Sequence, residues 1–182
     1  MACRLVWPPA AGWIVSCAFP YEKVAPITPG PVARPCLIVE VHDDKHVVVI
    51  YGTAQNTSGT VSGGGCNDFE IEIDVSQAEQ ACSNLSEQTR YDFRQAVLLP
   101  YTSAWFRCTN GRPTPLVGML PQSLRQRAAV AKQHAEEYLR KRPKLKLGYE
   151  EKMPEVTRRR TLKRPIHEAD AKSSNGDGEP QA

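Results

Sequence analysis

Long apolar runs are missing from this sequence, and so are the short motifs of the common nucleotide- and metal-dependent enzymes. No stretch approaches the roughly 20 apolar residues that a bilayer-spanning helix needs, so the sequence predicts no membrane association. G-x-x-x-x-G-K-[ST], G-x-G-x-x-G, H-E-x-x-H and G-x-S-x-G are all absent, which leaves P-loop, dinucleotide-binding, zincin and hydrolase-elbow functions without motif support. We therefore expect neither a cofactor nor a metal ion.

Cysteine is present but not clustered. The six cysteines are dispersed over more than a hundred residues without a C-x-x-C pair, a spacing that fits neither a zinc knuckle nor a dense disulfide scaffold. We expect reduced thiols, with Cys17 and Cys36 packed inside strands, and a cytoplasmic protein. Residues 14–17 also resemble a lipoprotein cleavage box, but Pro8, Pro9 and Gly12 interrupt the preceding segment, which favours a core strand.

The net charge is small as a sum and uneven along the chain. The formal total is +3, from 23 basic and 20 acidic side chains. Residues 140–182 hold 12 basic and 7 acidic side chains, a net +5, so residues 1–139 hold 11 and 13, a net −2. The C-terminal segment has few apolar residues to offset the entropy of ordering. We therefore predict a folded domain at 1–139 and a disordered basic tail at 140–182.

The hydrophobic pattern predicts many short strands and one helix. Two apolar runs, 36–41 and 45–51, are separated by turn-forming residues and predict an antiparallel hairpin. A helix is predicted from Pro121 to about Arg140, because proline is favoured in a first helical turn. The other predicted strands cover residues 13–19, 69–74, 92–100 and 118–120. This order favours a mainly β, α+β fold built on a small β-barrel with a C-terminal helix.

One group of polar residues converges at the open end of the predicted hairpin. Counting back from the turn brings Arg34 and Thr53 together, with Gln55 just beyond. A guanidinium, a hydroxyl and a carboxamide suit a phosphodiester, because arginine binds phosphate oxygens bidentately. The alternative is that Arg34 pairs with a surface carboxylate and Thr53 caps a turn. Two further features favour plain structural roles: we expect His42 and His46 to flank the turn as solvated side chains and Gly63-Gly64-Gly65 to form a mobile loop.

These residues carry a resemblance to a known family. Gly12-Trp13-Ile14-Val15, Ala33-Arg34-Pro35-Cys36 and Tyr51-Gly52-Thr53-Ala54-Gln55 occur in the order and spacing of the MazF/PemK toxins. Phe19-Pro20, Phe69-Glu70-Ile71 and Gly118-Met119-Leu120-Pro121 continue the series, which covers roughly residues 11–138. The stretch from Thr89 to Phe93 resembles a divergent PemK-like branch. The resemblance implies an SH3-like barrel of the MazF/PemK/CcdB type, usually a homodimer, that is neutralised by an antitoxin.

The resemblance also implies an activity, the metal-independent cleavage of single-stranded RNA. The ribose 2′-OH attacks its adjacent phosphate and leaves a 2′,3′-cyclic phosphate and a 5′-OH. In the family pattern the catalytic residues fall on Arg34 and Thr53, with Arg34 stabilising the phosphorane and Thr53 holding a non-bridging oxygen. Gln55, Phe19 and Thr28 are the RNA-binding residues that this comparison suggests.

Two departures from the family pattern leave a second function open. Residues 25–30 replace the stretch that supplies an acidic group in better-studied toxins, and Trp13 stands where an aspartate is usual. The alternative is a non-catalytic binding module for a protein target such as DNA gyrase, which the related CcdB toxins bind. Three roles stay open for the basic tail: it delivers the barrel to nucleic acid, it folds on an acidic partner, or it stays solvated. Trp105 and Phe106 are expected in the core or a dimer interface.

Overall fold

The computed structural model describes residues 3–20, 27–43, 45–55, 67–74, 82–109 and 111–142. The chain divides into two compact units, Met1–Lys152 and Met153–Ala182, and all of the described residues belong to the first. The predicted tail beyond Arg142 and the glycine-rich stretch at 63–65 lie outside the described residues, as do residues 25 and 26 of the stretch at 25–30.

The described chain consists mainly of short antiparallel strands. The strands are β1 (Trp13–Cys17), β2 (Arg34–Val41), β3 (His46–Thr53), β4 (Glu70–Ile73), β5 (Thr89–Asp92), β6 (Val97–Pro100) and β7 (Leu116–Met119). A helix, α1, follows at Arg125–Arg140, after a 3₁₀ turn at Gln122–Leu124. No helix in the described ranges is long and apolar enough to cross a membrane.

The strands form one continuous sheet in the order β4-β5-β3-β2-β1-β7, with β6 also paired to β3. The β2–β3 hairpin has the predicted pairing, with Cys36 opposite Tyr51 and Leu37 opposite Ile50, and a bulge between Ile38 and Glu40. The long strand β3 pairs with β2 along one edge, and its other edge is shared between β6 and β5. The prediction of a mainly β, small barrel-type α+β fold with a C-terminal helix is confirmed.

One predicted strand differs from the structure. The sequence grouped residues 92–100 together, whereas β5 ends at Asp92 and a 3₁₀ turn at Phe93–Gln95 separates it from β6. The Asp92 carboxylate accepts a hydrogen bond of 2.9 Å from the backbone N–H of Arg94 and so caps this turn. Because aspartate favours such local side-chain-to-backbone bonds, it ends the strand.

The two faces of the sheet carry separate cores. One face packs against α1 through the alanine stripe Ala128, Ala131 and Ala135, whose small side chains allow a close approach. The second face, called here the aromatic face, is covered by Tyr101, Trp105 and Phe106. Trp105 and Phe106 are therefore buried in the core, one of the two placements that the sequence predicted.

The N-terminal segment crosses the aromatic face and is attached to it by a disulfide. Cys3 and Cys108 are bonded, with their Cα atoms 5.5 Å apart. Near them, the Tyr101 hydroxyl donates a 3.0 Å hydrogen bond to the Val6 carbonyl. The expectation of reduced thiols is thus wrong for this pair, because a contact between residues 105 positions apart leaves no spacing signal. Cys17 and Cys36 are free and buried in strands, as predicted.

Candidate functional site

Arg34 and Thr53 lie at the same end of the hairpin, as the sequence predicts. Arg34 is the first residue of β2 and Thr53 is the last residue of β3. The pairing of Cys36 with Tyr51, continued by two residues, places Arg34 opposite Thr53. Residues 36, 38, 47 and 49 all belong to the core of the aromatic face, so the period of two puts both side chains on that face. Their roles in catalysis stay predictions.

Gly52 allows three strands to come together beside Thr53. A Cβ atom at this position would lie 2.5 Å from Thr89 Cγ2, 2.9 Å from Tyr91 Cε1 and 3.0 Å from the Pro35 carbonyl oxygen. Each of these distances is shorter than an ordinary van der Waals contact. Only glycine therefore lets the ends of β2, β3 and β5 approach one another this closely.

A second arginine joins the site from β5. Thr53 is paired directly with Arg90, and Arg90 is paired with Glu72 of β4. Directly opposed residues of antiparallel strands point to the same face. Arg34, Thr53, Arg90 and Glu72 thus form a line across four neighbouring strands, which we call the polar row.

Sequence reasoning missed Arg90 and Glu72 as members of this site. The sequence signal for β5 is short: in Thr89–Asp92 the charged residues Arg90 and Asp92 alternate with Thr89 and Tyr91, which is typical of a half-buried strand. The alternation alone does not show which strand lies beside it, because β5 and β3 are separated by a long stretch of chain. The pairing of Thr53 with Arg90 appears only in the structure.

An ion-pair network joins Arg90 to Glu70, and through Glu70 to Arg94 and Asp92. Glu70 places Oε2 3.6 Å from Arg90 Nη1 and Oε1 3.7 Å from Arg94 Nη2. Arg94 in turn binds Asp92 through both Nε and Nη2, each at 2.9 Å from a carboxylate oxygen. Hydrogen bonding to Asp92 raises the pKa of Arg94, although burial acts in the opposite direction. The network thus contacts Arg90, a member of the polar row, and adds a second guanidinium, that of Arg94, next to it.

The hydroxyl of Thr53 has a structural role in its own turn. Its Oγ1 accepts a 3.1 Å hydrogen bond from the backbone N–H of Gln55. This is the turn-capping contact that the sequence left open as an alternative. The hydroxyl hydrogen can still be donated to a ligand, since a hydroxyl is both donor and acceptor. Gln55 is exposed at the end of the strand.

Arg34 is half-buried above a pair of buried thiols. Burial raises the pKa of the Cys36 thiol well above its usual value, and a hydrogen bond with Cys17 adds to this effect. The positive charge of Arg34 acts in the opposite direction on the pKa of the same thiol. Cys17 is also the residue opposite Arg34 in the β1–β2 pairing.

The two remaining predicted RNA-binding residues, Phe19 and Thr28, lie in different environments, one buried and one exposed. The Phe19 side chain is 5% exposed, and its ring centroid lies 5.1 Å from that of Tyr51. Tyr51 precedes Thr53 by two residues on the same face, so Phe19 supports the strand that carries Thr53. Thr28 is exposed in the loop before β2. RNA binding by Phe19, Thr28 and Gln55 stays a prediction.

The histidines at the hairpin turn have local partners. His46 Nδ1 lies 2.9 Å from the Asp43 carboxylate. Desolvation acts to raise the pKa of Asp43, but hydrogen bonds from the Lys45 backbone N–H and from His46 outweigh it, so this pKa is lowered. Within the residues that the structure describes, no group of three or more histidine, cysteine, aspartate or glutamate side chains is arranged to hold a metal ion.

The chain is similar to known proteins at the level of solved structures. No protein-family model matches it, and no curated protein matches it. A solved structure of an endoribonuclease in complex with its cognate antitoxin, from a mycobacterial species, is similar to it with a TM-score of 0.45 and 14% sequence identity. The likeness covers 71% of this chain and 95% of the other.

Proposed function

We propose that this protein is a toxin-type endoribonuclease that cleaves single-stranded RNA by attack of the ribose 2′-OH on the adjacent phosphate. The observation that supports this proposal most is the polar row, in which Thr53 lies between Arg34 and Arg90 on three neighbouring strands. Neighbouring strands lie about 4.8 Å apart, so the side chains of Arg34 and Arg90 are long enough to reach one phosphate above Thr53.

The chemistry follows from where charge develops. In the reaction the 2′-oxygen loses its proton and forms a bond to phosphorus, while the bond to the 5′-oxygen breaks and that oxygen takes up a proton to leave as a 5′-OH. Negative charge accumulates on the non-bridging oxygens in between. Arg34 and Arg90 would stabilise that charge, and Thr53 would donate a hydrogen bond to one of these oxygens. Because an arginine is a poor proton donor in solution, we assign Arg34 an electrostatic role first.

The decisive experiment compares site variants with matched surface variants. Arg34→Ala and Thr53→Ala are expected to lower metal-independent cleavage of a single-stranded RNA about 100-fold or more, since one lost transition-state donor typically costs this much. Arg107→Ala and Thr102→Ala change the same residue types at exposed positions and should retain wild-type rates. Circular dichroism checks that each variant is folded, and EDTA checks metal independence. Wild-type rates in both site variants would refute the proposal.

A non-catalytic binding module is the second candidate function. It is favoured by the bond between Thr53 Oγ1 and the Gln55 N–H, because a hydroxyl that only caps its turn needs no substrate. This candidate predicts no RNA product from the wild-type protein and capture of a protein target such as DNA gyrase. The proposed toxin function includes an antitoxin partner, a homodimer and a cytoplasmic location. Co-purification tests the antitoxin partner, and light scattering tests the homodimer.

A further inference from the structure

Glu70 is the charged side chain that the described structure buries most deeply. It is 4% exposed, at the first position of β4. Its Oε2 accepts a 3.3 Å hydrogen bond from the Asn67 backbone N–H, and its own N–H donates to the Asn67 carbonyl at 3.0 Å. Burying a carboxylate is unfavourable unless cations compensate for it. The burial of Glu70 therefore depends on its two arginine partners, Arg90 and Arg94.

The two cations that compensate Glu70 are held very differently. Arg94 is fixed by the Asp92 carboxylate, and its guanidinium lies 4.9 Å from the centroid of the Phe69 ring. Arg90 is held at Nη1 by Glu70, 3.6 Å away, while its buried Nε has no hydrogen-bond partner in the described part of the chain. One oxygen of Glu70 thus contacts Arg94, which Asp92 also binds, and the other contacts Arg90 of the polar row.

We propose that Glu70 is a positioning residue, which holds Nη1 of Arg90 and so limits the conformations of a side chain whose strand position is next to Thr53, leaving Nη2 for the phosphate. This inference rests on the proposed ribonuclease function. Arginine has many rotamers, and an unfixed side chain would lose most of its benefit as a preorganised donor. Glu70 acts through Arg90 and does not itself touch the substrate.

A purely structural role for Glu70 makes a different prediction. A structural role of Glu70 that acts through Arg94 or through the Asn67 backbone N–H would have the same effect on activity whether or not Arg90 is present. A double-mutant cycle separates the two roles, because residues that act through one another are not additive. The variants are Glu70→Gln, Arg90→Ala and the double variant, with Glu87→Gln as a control at an exposed glutamate.

The kinetic expectation is specific. Arg90→Ala should lower kcat about 100-fold, and Glu70→Gln should lower it about tenfold with KM changed less than about twofold, since misplacing a donor mainly affects the transition state. In the Arg90→Ala background, Glu70→Gln should change kcat less than about twofold. An equal effect of Glu70→Gln in both backgrounds overturns the positioning role. If Glu70→Gln fails to fold by circular dichroism, Glu70→Asp, which keeps the charge but shortens the side chain, gives the same comparison.

A measurement on the protein without RNA tests the positioning role of Glu70 separately from the proposed ribonuclease function. Side-chain ¹⁵N relaxation of the Arg90 Nε–H is expected to show a rigid group in the wild type and in Glu87→Gln, with an order parameter near about 0.8, and below about 0.6 in Glu70→Gln. An Arg90 group that stays rigid in Glu70→Gln overturns the positioning role even if RNA is cleaved. A wild-type protein that cleaves no RNA overturns the proposed function, and this measurement then still decides whether Glu70 fixes Arg90.

Discussion

Replacing Gly52 by alanine is expected to destabilise the protein and to disturb the site at once. The new methyl group would lie 2.5 Å from Thr89 Cγ2 and 3.0 Å from the Pro35 carbonyl oxygen. Carbon atoms in contact prefer about 3.5 Å or more, so Thr89 must withdraw by about 1 Å. The Pro35 oxygen belongs to the backbone of β2 and cannot rotate away. The strands β2, β3 and β5 must therefore separate where Thr53 is held.

The magnitude follows from two opposing effects. Overpacking of this kind costs about 1–3 kcal/mol, and the lower chain entropy of unfolded alanine returns about 0.4–1 kcal/mol. A net loss of about 1–2 kcal/mol remains, which with a urea m-value of about 2 kcal/mol/M lowers the unfolding midpoint by about 0.5–1 M. Because the shift occurs beside Thr53, RNA cleavage is expected to fall about tenfold or more.

A second substitution tests the stated contact. Thr89→Ser removes Cγ2, the atom nearest to the new methyl group, but keeps the hydroxyl that donates to the Glu87 carbonyl at 2.8 Å. Gly52→Ala should then cost about 1 kcal/mol less in the Thr89→Ser background than in the wild type. Urea denaturation followed by circular dichroism measures both values. An unchanged midpoint in Gly52→Ala, or an equal cost in both backgrounds, would refute the close approach at Gly52.

The remaining expectations concern the core. The Tyr91 side chain is fully buried, and its hydroxyl has no hydrogen-bond partner within the described residues, so Tyr91→Phe should raise the free energy of unfolding by about 1 kcal/mol. A clear loss of stability would show that the hydroxyl has a partner. Iodoacetamide should label exposed Cys82 in the native protein and leave buried Cys17 and Cys36 unmodified, because burial raises the pKa of Cys36. Peptide mass spectrometry checks this, and labelled Cys36 would contradict it.

The hairpin could be predicted from the sequence because its pairing is local. Two apolar runs and a short polar turn determine which residues face one another, and Arg34 and Thr53 follow from that register. The core strand β1 and the helix α1 are equally clear, since each has a strong periodic pattern. Half of the polar row was thus accessible without the structure.

The other half depends on non-local pairing. Arg90 and Glu72 belong to β5 and β4, whose positions beside β3 depend on chain segments that carry no turn signal linking them to the hairpin. The disulfide between Cys3 and Cys108 has the same origin, because it joins distant parts of the chain. Sequence patterns report local structure well, whereas contacts of this range are decided by how the whole sheet closes.

The balance of charge at the site favours catalysis by fixed groups over capture of RNA by net charge. The side chains concerned are the cations Arg34, Arg90 and Arg94 and the anions Glu70, Glu72 and Asp92. Their formal charges cancel, and residues 1–139 as a whole carry −2, so the domain itself exerts little long-range attraction on RNA. Preorganised donors lower a barrier without a net charge, provided that they are held in place. The strands hold the backbone of the polar row in place, because Thr53 is paired with Arg90 of β5 and, two residues earlier, Tyr51 is paired with Cys36 of β2. The location of the row on paired strands suits the ribonuclease, because catalysis needs accurately positioned groups and sites on strands are more precise than sites on loops.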